Sequence, residues 1–253
     1  IQLFNLQLIK DYGEQADSNA LLRRTIYAPR GLIYDRNGVL LVYNQPTYDI
    51  LITMHELRAM AKNNTPLDTL ELCQTLSITK AEFDKRIKEV KNRIGYSPRV
   101  PQRFITQLSP AEYAVLQEKL HRFPGFTIQG RTLRNYTYPV AGHALGSIGE
   151  VSRRMIEKDS YYKQGDYAGV SGFEKSYEVA LRGQNGVEIL LRDVAGRIQG
   201  RYKKGEFDKA AVAGDNLTVT LDVQLQILAE ELLQGKKGSV VAIEPSTGEI
   251  LAM

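Results

Sequence analysis

Two pairs of residues in this sequence have the spacing of a serine nucleophile and its base. Ser77 lies three positions before Lys80, and Ser160 lies three positions before Lys163. A lysine beside a serine can accept the proton of the hydroxyl group, which then attacks an acyl donor. In serine enzymes that use this SxxK spacing, the site is completed by later SxN and KTG or KSG triplets, and no such triplet follows either pair. About one SxxK match is expected by chance in a chain of this composition. We therefore predict that neither serine is a nucleophile.

The other chemistry-bearing residue types lack the spacing of a metal or cofactor site. His55, His121 and His143 are scattered, with no HExxH pattern and no paired cysteines, and His143 is predicted to be a packed helix residue. The single cysteine, Cys73, lies with Leu70 and Leu76 in an amphipathic pattern that predicts a small core residue. No glycine-rich phosphate loop is present. The sequence predicts no metal and no cofactor.

Composition limits the class of partner and the number of domains. The 253 residues include 33 basic and 29 acidic ones, for a net charge of +4, and 43% are hydrophobic. That length supports one large domain or two smaller ones. The near balance of charge, without a basic run that contains aromatic residues, predicts no nucleic-acid partner. No apolar run of about 18 residues occurs, so no segment is predicted to cross a membrane.

The stretch APRGLIYDRNGVLLVY, residues 28–43, is predicted to be a tight β-hairpin. Asn37-Gly38 supplies residues that tolerate a positive φ, and apolar runs flank it as two strands. Arg30, Asp35 and Arg36 sit among aliphatic residues, and charges near a core are usually paired. An exposed hairpin with solvated charges remains the alternative.

The same stretch resembles a known family. RGLIYDRNG resembles the first signature of the non-catalytic amino-terminal module of class B penicillin-binding proteins, the membrane-anchored peptidoglycan transpeptidases. YPVAGHALGSIGEV at 138–151 and GVSGFEKSYEVALRGQNG at 169–186 resemble the second and third signatures. The stretches GDNLTVTLDVQLQILAEELL and GSVVAIEPSTGEILAM continue the family's order. The signature residues are Arg30, Gly31, Asp35, Arg36, Gly38, Pro139, His143, Gly146, Gly149, Gly172, Glu174, Tyr177, Gly183 and Gly186.

This resemblance implies an α+β fold with a defined division of the chain. Residues 1–214 would form an elongated, non-catalytic pedestal or dimerisation domain of small sheets and helices, with an inserted α+β lobe at about 54–135. Residues 215–253 would be the truncated start of a transpeptidase domain with the serine β-lactamase-like fold. The catalytic SxxK, SxN and KTG motifs of the family would then lie beyond Met253, and no catalytic residue is predicted within this chain.

Local patterns predict the elements that hold these signatures. A turn is predicted at residues 44–46, followed by a strand at residues 47–53. Capping boxes at residues 79–82 and 109–112 predict helix starts, and a hairpin is predicted at residues 187–204 with its bend near Ala195-Gly196. The opening residues have a helical pattern through Phe4, Leu8 and Tyr12, which in the family continues a membrane anchor.

Two further predictions concern contacts between signatures. Ala141, Gly142, Gly146 and Gly149 are small enough to pack closely against the hairpin. Phe173, Tyr177 and Leu181 predict one face of a single helix that ends at Gly183.

The resemblance also implies that Glu174 lies against Arg30 in a buried ionic cluster, and we hypothesise that Asp35 joins this cluster. The alternative is that Glu174 is only an acidic residue in the first turn of a helix, where a carboxylate favours the helix dipole.

The function implied by the resemblance is that of the intact family member. It would crosslink peptidoglycan stem peptides through an acyl-enzyme and be trapped by β-lactams, and its type resembles the elongation-specific penicillin-binding protein 2. The implied partners are a SEDS-family glycan polymerase and other cell-elongation proteins. The implied location is the cytoplasmic membrane, with one upstream anchor helix and this part in the periplasm or cell exterior. A non-enzymatic scaffold or sensor that uses a pedestal-like module is the alternative.

Overall fold

A computed structural model of the protein describes residues 21–62, 67–93, 96–192 and 198–253. The chain divides into two compact units. The first unit contains the residues up to Asn44 and those from Arg134 to Met253, and the second unit contains Gln45–Leu133. The predicted helical pattern through Phe4, Leu8 and Tyr12 lies outside the described residues, as does the predicted bend at Ala195-Gly196. In the described part of the chain, no helix is long and apolar enough to cross a membrane.

Short strands and helices alternate along the chain, so the fold is α+β. The strands are β1 (Leu21–Ile26), β2 (Ile33–Tyr34), β3 (Leu40–Ile52), β4 (Gln102–Leu108), β5 (Phe126–Tyr136), β6 (Ile148–Glu150), β7 (Tyr167–Gly169), β8 (Gly186–Arg192), β9 (Ile198–Arg201), β10 (Leu217–Thr218), β11 (Ala242–Ile243) and β12 (Ile250–Ala252). The helices are α1 (Met54–Lys62), α2 (Thr69–Thr75), α3 (Lys80–Lys91), α4 (Pro110–Lys119), α5 (Gly142–Leu145), α6 (Arg153–Lys158), α7 (Gly172–Ser176), α8 (Glu178–Leu181) and α9 (Val223–Leu233).

The predicted hairpin is present as β2 and the start of β3, but its turn differs from the prediction in one respect. Gly38 has a φ of +79°, whereas Asn37 is not among the residues with positive φ. Gly38 N donates to the Asp35 carbonyl at 3.1 Å, and Asp35 N donates to the Val39 carbonyl at 2.9 Å. The turn is therefore a type I turn closed by one left-handed glycine, which needs a single positive φ.

The predicted turn at residues 44–46 is wrong, because these residues lie inside β3. Proline fixes φ at a value that extended backbone tolerates. Pro46 also falls between the segment that pairs with β2, which ends at Val42, and the segment that pairs with β4, which begins at Tyr48. Its missing N–H therefore removes no hydrogen bond from either of these two ladders.

The core of the first unit lies between the hairpin and short elements that include α5 and α8. Strand β10 pairs in parallel with β2, while β1, β8 and β9 form a separate antiparallel sheet. Ile33, Val42, Leu145 and Leu181 are buried together in one apolar cluster. The helix predicted through Phe173 and Leu181 is two short helices, α7 and α8, that meet at Tyr177, whose φ of −109° and ψ of 24° are not helical.

Tyr177 accordingly does not share the buried face predicted for it: its side chain is 47% exposed, whereas Leu181 is fully buried. The non-helical residue between α7 and α8 interrupts the helical geometry, so the helical spacing used for the prediction does not hold across it.

The second unit is a sheet with helices around an aromatic core. Strand β3 pairs antiparallel with β4, and β5 also pairs with β3. Phe83 contacts Phe104 edge to face, with 5.2 Å between the ring centroids, and Phe104 contacts Phe126 in the same way, with 5.6 Å between the centroids. Cys73 is buried in this core, as predicted.

Both predicted capping boxes are present in the second unit. At the start of α3, Thr79 and Glu82 each bond the other residue's backbone N–H. Ser109 and Glu112 do the same at the start of α4, with Pro110 as the first helical residue. These contacts join residues three positions apart, so they form whenever the local helix forms.

The last described segment forms the elements that its pattern predicts. Helix α9 follows the cap residue Asp222, and β11 pairs antiparallel with β12. Residues 215–253 belong to the same compact unit as the hairpin, and the compact second unit overlaps the predicted lobe of 54–135 but begins at Gln45. The boundary at 214/215 between two evolutionary domains stays a prediction.

Candidate functional site

Ser77 and Ser160, the two serines that have a lysine three positions later in the sequence, lie at the surface. Ser77 has a φ of +52° in the loop before α3, and Lys80 is the first residue of that helix; both are exposed. Ser160 and Lys163 are exposed in the turns after α6. Because Ser77 lies outside the helix that holds Lys80, the two are not stacked on successive turns. Among the described residues, no group of three or more histidine, cysteine and carboxylate side chains could hold a metal ion.

Several buried charged side chains of the first unit bond one another in a network, here called the buried ion network. It consists of Arg30, Arg134, Glu174 and Glu178. Arg30 precedes β2 in the chain, and Nε of Arg30 donates to Glu174 Oε2 at 2.6 Å. Nη2 of Arg30 also donates to the Glu174 carbonyl at 2.9 Å. The ion pair predicted between Arg30 and Glu174 is present, and the side chain of Glu174 is 0% exposed.

Arg134, near the end of β5, supplies the second cation. Its Nε donates to Glu174 Oε1 at 2.6 Å, and its side chain is 2% exposed. The Asn44 side chain joins the two arginines, since its Oδ1 accepts from Arg134 Nη1 at 2.9 Å and its Nδ2 donates to the Arg30 carbonyl. Each oxygen of the Glu174 carboxylate therefore has its own guanidinium donor, which is a strong arrangement for a buried charge.

Glu178, the first residue of α8, completes the network. Its Oε2 accepts from Arg30 Nη2 at 2.5 Å and from Gly169 N at 2.8 Å. Its Oε1 accepts from the Tyr162 hydroxyl at 2.8 Å. Two arginines and two glutamates give the network no net formal charge, so the buried groups compensate one another.

Burial and pairing have opposing effects on these side chains. Burial alone would lower the pKa of Arg30, but the hydrogen bond to Glu178 and the charges of Glu174 and Glu178 raise it above its usual value. Burial lowers the pKa of Arg134, and the charge of Glu174 only partly offsets this. Burial, together with the hydrogen bond to Glu178, raises the pKa of Tyr162 to about 12. The uncharged phenol is thus the form that this site stabilises.

Asp35 does not join the network, so that part of the hypothesis is wrong. Its fully buried carboxylate accepts from the backbone N–H groups of Asn37 at 2.8 Å and Val39 at 2.7 Å. A third N–H, that of Val223 at the start of α9, donates at 3.3 Å. The aspartate closes its own turn and caps a helix, so it needs no arginine. Arg36 is also outside the network and pairs with Glu244 at 3.1 Å.

Glycines of the three signatures allow segments of backbone to touch. A Cβ on Gly31 would lie 1.8 Å from the Asp215 carbonyl oxygen, and a Cβ on Gly146 would lie 1.9 Å from that of Ser171. Gly146, with a φ of +79°, therefore packs against the start of the third signature and not against the hairpin, which corrects the prediction. Gly172, Gly183 and Gly186 also approach backbone atoms of other segments.

The remaining signature residues have less constrained positions. His143 is exposed on α5, so the prediction of a packed histidine is wrong: the four residues of this short helix bury only Ala144 and Leu145. Pro139 is exposed. A Cβ on Gly142 would meet no atom within 4 Å, and one on Gly149 would meet only the Val170 side chain. Of the four small residues, Ala141 is the one that lies in the apolar cluster of the hairpin.

The sequence reasoning missed Arg134, Glu178 and Asn44. Glu178 lies four positions after Glu174, a spacing that could have suggested a second carboxylate on the same side. Arg134 and Asn44 carry no local signal, because their partners are 40 and 90 positions away in the chain. None of the four residues of the network is a nucleophile. What it can do is hold the hairpin, the end of β5 and helices α7 and α8 in fixed positions.

Comparisons with known proteins agree with this arrangement of a structural module. The family model described as "Penicillin-binding Protein dimerisation domain" matches residues 25–219. The peptidoglycan D,D-transpeptidase MrdA of Acinetobacter baumannii is 30% identical over 259 residues, which cover 100% of this chain and 36% of that relative. MrdA of Escherichia coli K12 is 30% identical over 260 residues, which cover 99% of this chain and 39% of that relative.

A solved structure gives the same fold. A chain of the complex between penicillin-binding protein PBP2 and MreC from Helicobacter pylori superposes with a TM-score of 0.67 at 20% identity, covering 91% of this chain and 42% of that chain. The chain therefore spans less than half of the length of each of these proteins.

Proposed function

This chain belongs to the penicillin-binding protein dimerisation domain family, and from that premise we propose that it is the non-catalytic amino-terminal part of an elongation-type peptidoglycan D,D-transpeptidase. The observation that carries this proposal is the similarity to MrdA at 30% identity, which covers 99–100% of this chain. The curated relatives bear the name of an enzyme, so a non-enzymatic scaffold is not favoured.

The proposed role of this part is to position a catalytic domain. The buried ion network supports this role, because it fixes two signature-bearing segments and the end of β5 around one carboxylate, that of Glu174. We place the pedestal at residues 1–214 and the start of the transpeptidase domain at residues 215–253. The end of the family match at residue 219 lies close to that boundary and supports it.

The activity of the whole protein would follow from the domain that this part carries. It would form an acyl-enzyme with the penultimate D-alanine of a stem peptide and transfer the acyl group to a neighbouring amine. β-Lactams would acylate the same serine. The protein would be held in the cytoplasmic membrane by one anchor helix, with the described units in the periplasm or cell exterior.

Proteins of the cell-elongation machinery are the proposed partners. The PBP2 of the similar solved structure is in a complex with MreC, which supports partners of this kind. A SEDS-family glycan polymerase is proposed as a second partner.

A chimera tests the proposal in cells. The corresponding part of Escherichia coli MrdA is replaced by this chain, and the chimera is produced in cells depleted of their own MrdA. We expect rod shape to be restored and the chimera to be labelled by a fluorescent penicillin. Round cells in the presence of a normally labelled chimera would contradict the positioning role. In the same chimera, Arg30→Ala removes one cation of the buried ion network. Arg153→Ala, which removes an exposed side chain on α6, is the matched control.

The chain by itself should not react with penicillin, because acylation needs a serine, a base and oxyanion donors in one site. Incubation with a fluorescent penicillin, followed by denaturing electrophoresis and measurement of the intact mass, should show no adduct. An adduct on Ser77 or Ser160 would overturn the assignment of this chain as a pedestal.

A further inference from the structure

The excess of positive over negative charge belongs to one of the two units of the chain. The second unit, Gln45–Leu133, contains 13 lysines and arginines against 9 acidic residues, whereas the first unit contains 20 of each. The net charge of +4 is therefore the net charge of the second unit alone.

Within the second unit, one segment accounts for all of this excess. Residues 90–111 contain four cations and no aspartate or glutamate, while the rest of the unit contains nine cations and nine acids. The four are Lys91, Arg93, Arg99 and Arg103, here called the basic surface. By contrast, the other cations of helix α3 are interspersed with Glu82, Asp84 and Glu89, so they add little net charge.

The fold brings Arg93 into contact with Arg103, and Lys91 and Arg99 lie close to them in the chain. Lys91 ends α3, Arg93 follows it, and Arg103 lies at the start of β4. Nη1 of Arg93 donates to the Arg103 carbonyl at 2.9 Å, so the two ends of the connecting loop are in direct contact. Between them, Tyr96 packs against the apolar core and holds the loop to the unit.

Three of the four cations of this surface are available to a partner. Lys91, Arg93 and Arg99 are exposed, and in the described part of the chain none of the three forms an ion pair. Val100, next to Arg99, is 52% exposed, although it is apolar. Arginines beside an exposed apolar side chain are typical of protein interfaces, whereas binding to a membrane surface uses larger apolar side chains such as tryptophan and phenylalanine.

We propose that the basic surface is a docking site for a carboxylate-rich surface of another protein. Guanidinium groups match carboxylates with paired hydrogen bonds, and three of the four cations are arginines. The proposal rests on the distribution of charge in the second unit and does not depend on the activity of the whole protein.

The test measures binding of a fluorescently labelled peptide that alternates glutamate with valine, by anisotropy at low and at physiological salt. The test variant combines Lys91→Glu, Arg93→Glu and Arg99→Glu. The control variant combines Arg154→Glu, Lys158→Glu and Lys163→Glu, three exposed residues of the first unit, and has the same net charge. Each exposed ion pair contributes about 1.4- to fivefold to affinity, so the loss of three such pairs should weaken binding by about 3- to 100-fold in the test variant. We expect the control variant to change by less than about twofold.

Three results would overturn the proposal. The first is equal loss in both variants, which would show attraction by net charge alone. The second is absence of peptide binding by the unaltered chain at low salt. The third is binding to vesicles that contain anionic phospholipid, lost in the test variant while peptide binding persists, which would make the surface a membrane contact. All six substitutions are at exposed positions, so unchanged circular dichroism and thermal midpoints are expected for both variants.

Discussion

Replacing Arg30 by alanine should destabilise the first unit and leave the second unit unchanged. The side chain of Arg30 is 10% exposed, and it contacts both glutamates of the buried ion network. Removing it deletes three hydrogen bonds to Glu174 and Glu178. Glu174 would keep Arg134 as its only cationic partner, while remaining fully buried.

The expected cost follows from this burial. Removing one partner of a buried ion pair costs about 3–5 kcal/mol, against about 0–1 kcal/mol for an exposed pair. Glu178 keeps the Gly169 N–H and the Tyr162 hydroxyl as donors, so we expect a value near the lower limit, about 3 kcal/mol. Arg30→Lys keeps the charge but cannot reach both carboxylates with a planar fork, so it should lose about half of that amount.

Urea denaturation followed by circular dichroism measures the effect, and hydrogen–deuterium exchange assigns it to a unit. With a dependence on urea of about 1–3 kcal/mol per molar, the midpoint of the first unit should fall by about 1 M or more. Arg153→Ala, in an exposed pair with Glu157, is the control and should change the midpoint very little. An Arg30→Ala midpoint equal to that of the control, or faster exchange confined to residues 45–133, would refute the reasoning.

Two further changes test other parts of the first unit. Gly31→Ala should destabilise the chain by more than about 2 kcal/mol in thermal denaturation, because the added Cβ would overlap the Asp215 carbonyl. Gly142→Ala is the control and should be neutral or slightly stabilising, because its Cβ meets open space. Equal thermal midpoints for the two variants would argue against the close approach at Gly31. The pKa of Tyr162 is raised to about 12 in the folded chain, above its unfolded value near 10. The stability that this residue contributes is therefore fully present below about pH 10 and should fall by about 1–2 kcal/mol as the pH rises from 10 to 12. Tyr162→Phe should remove that part of the alkaline loss of stability, and a pH profile unchanged by the substitution would count against the prediction.

The sequence determined the elements whose causes are local. Both capping boxes, the glycine turn at Gly38 and the helix after Asp222 formed where the sequence placed them, because each depends on residues within about four positions. The family was also evident from the sequence, since its signatures are short and contiguous. The resemblance to this family implied the pairing of Arg30 with Glu174, although nothing local to either residue requires it.

Only the tertiary structure decided which buried charges meet. Asp35 is close to Arg30 in the chain, yet it bonds the Val223 N–H from 188 positions away, while Arg134 reaches Glu174 from 40 positions away. The extended path of the chain through Pro46 and the break between α7 and α8 at Tyr177 likewise differ from what local spacing predicted. Hydrogen-bond partners of buried charges are selected by the fold as a whole, since a charge removed from water must find a donor or acceptor wherever packing supplies one. Spacing along the chain does not carry that information.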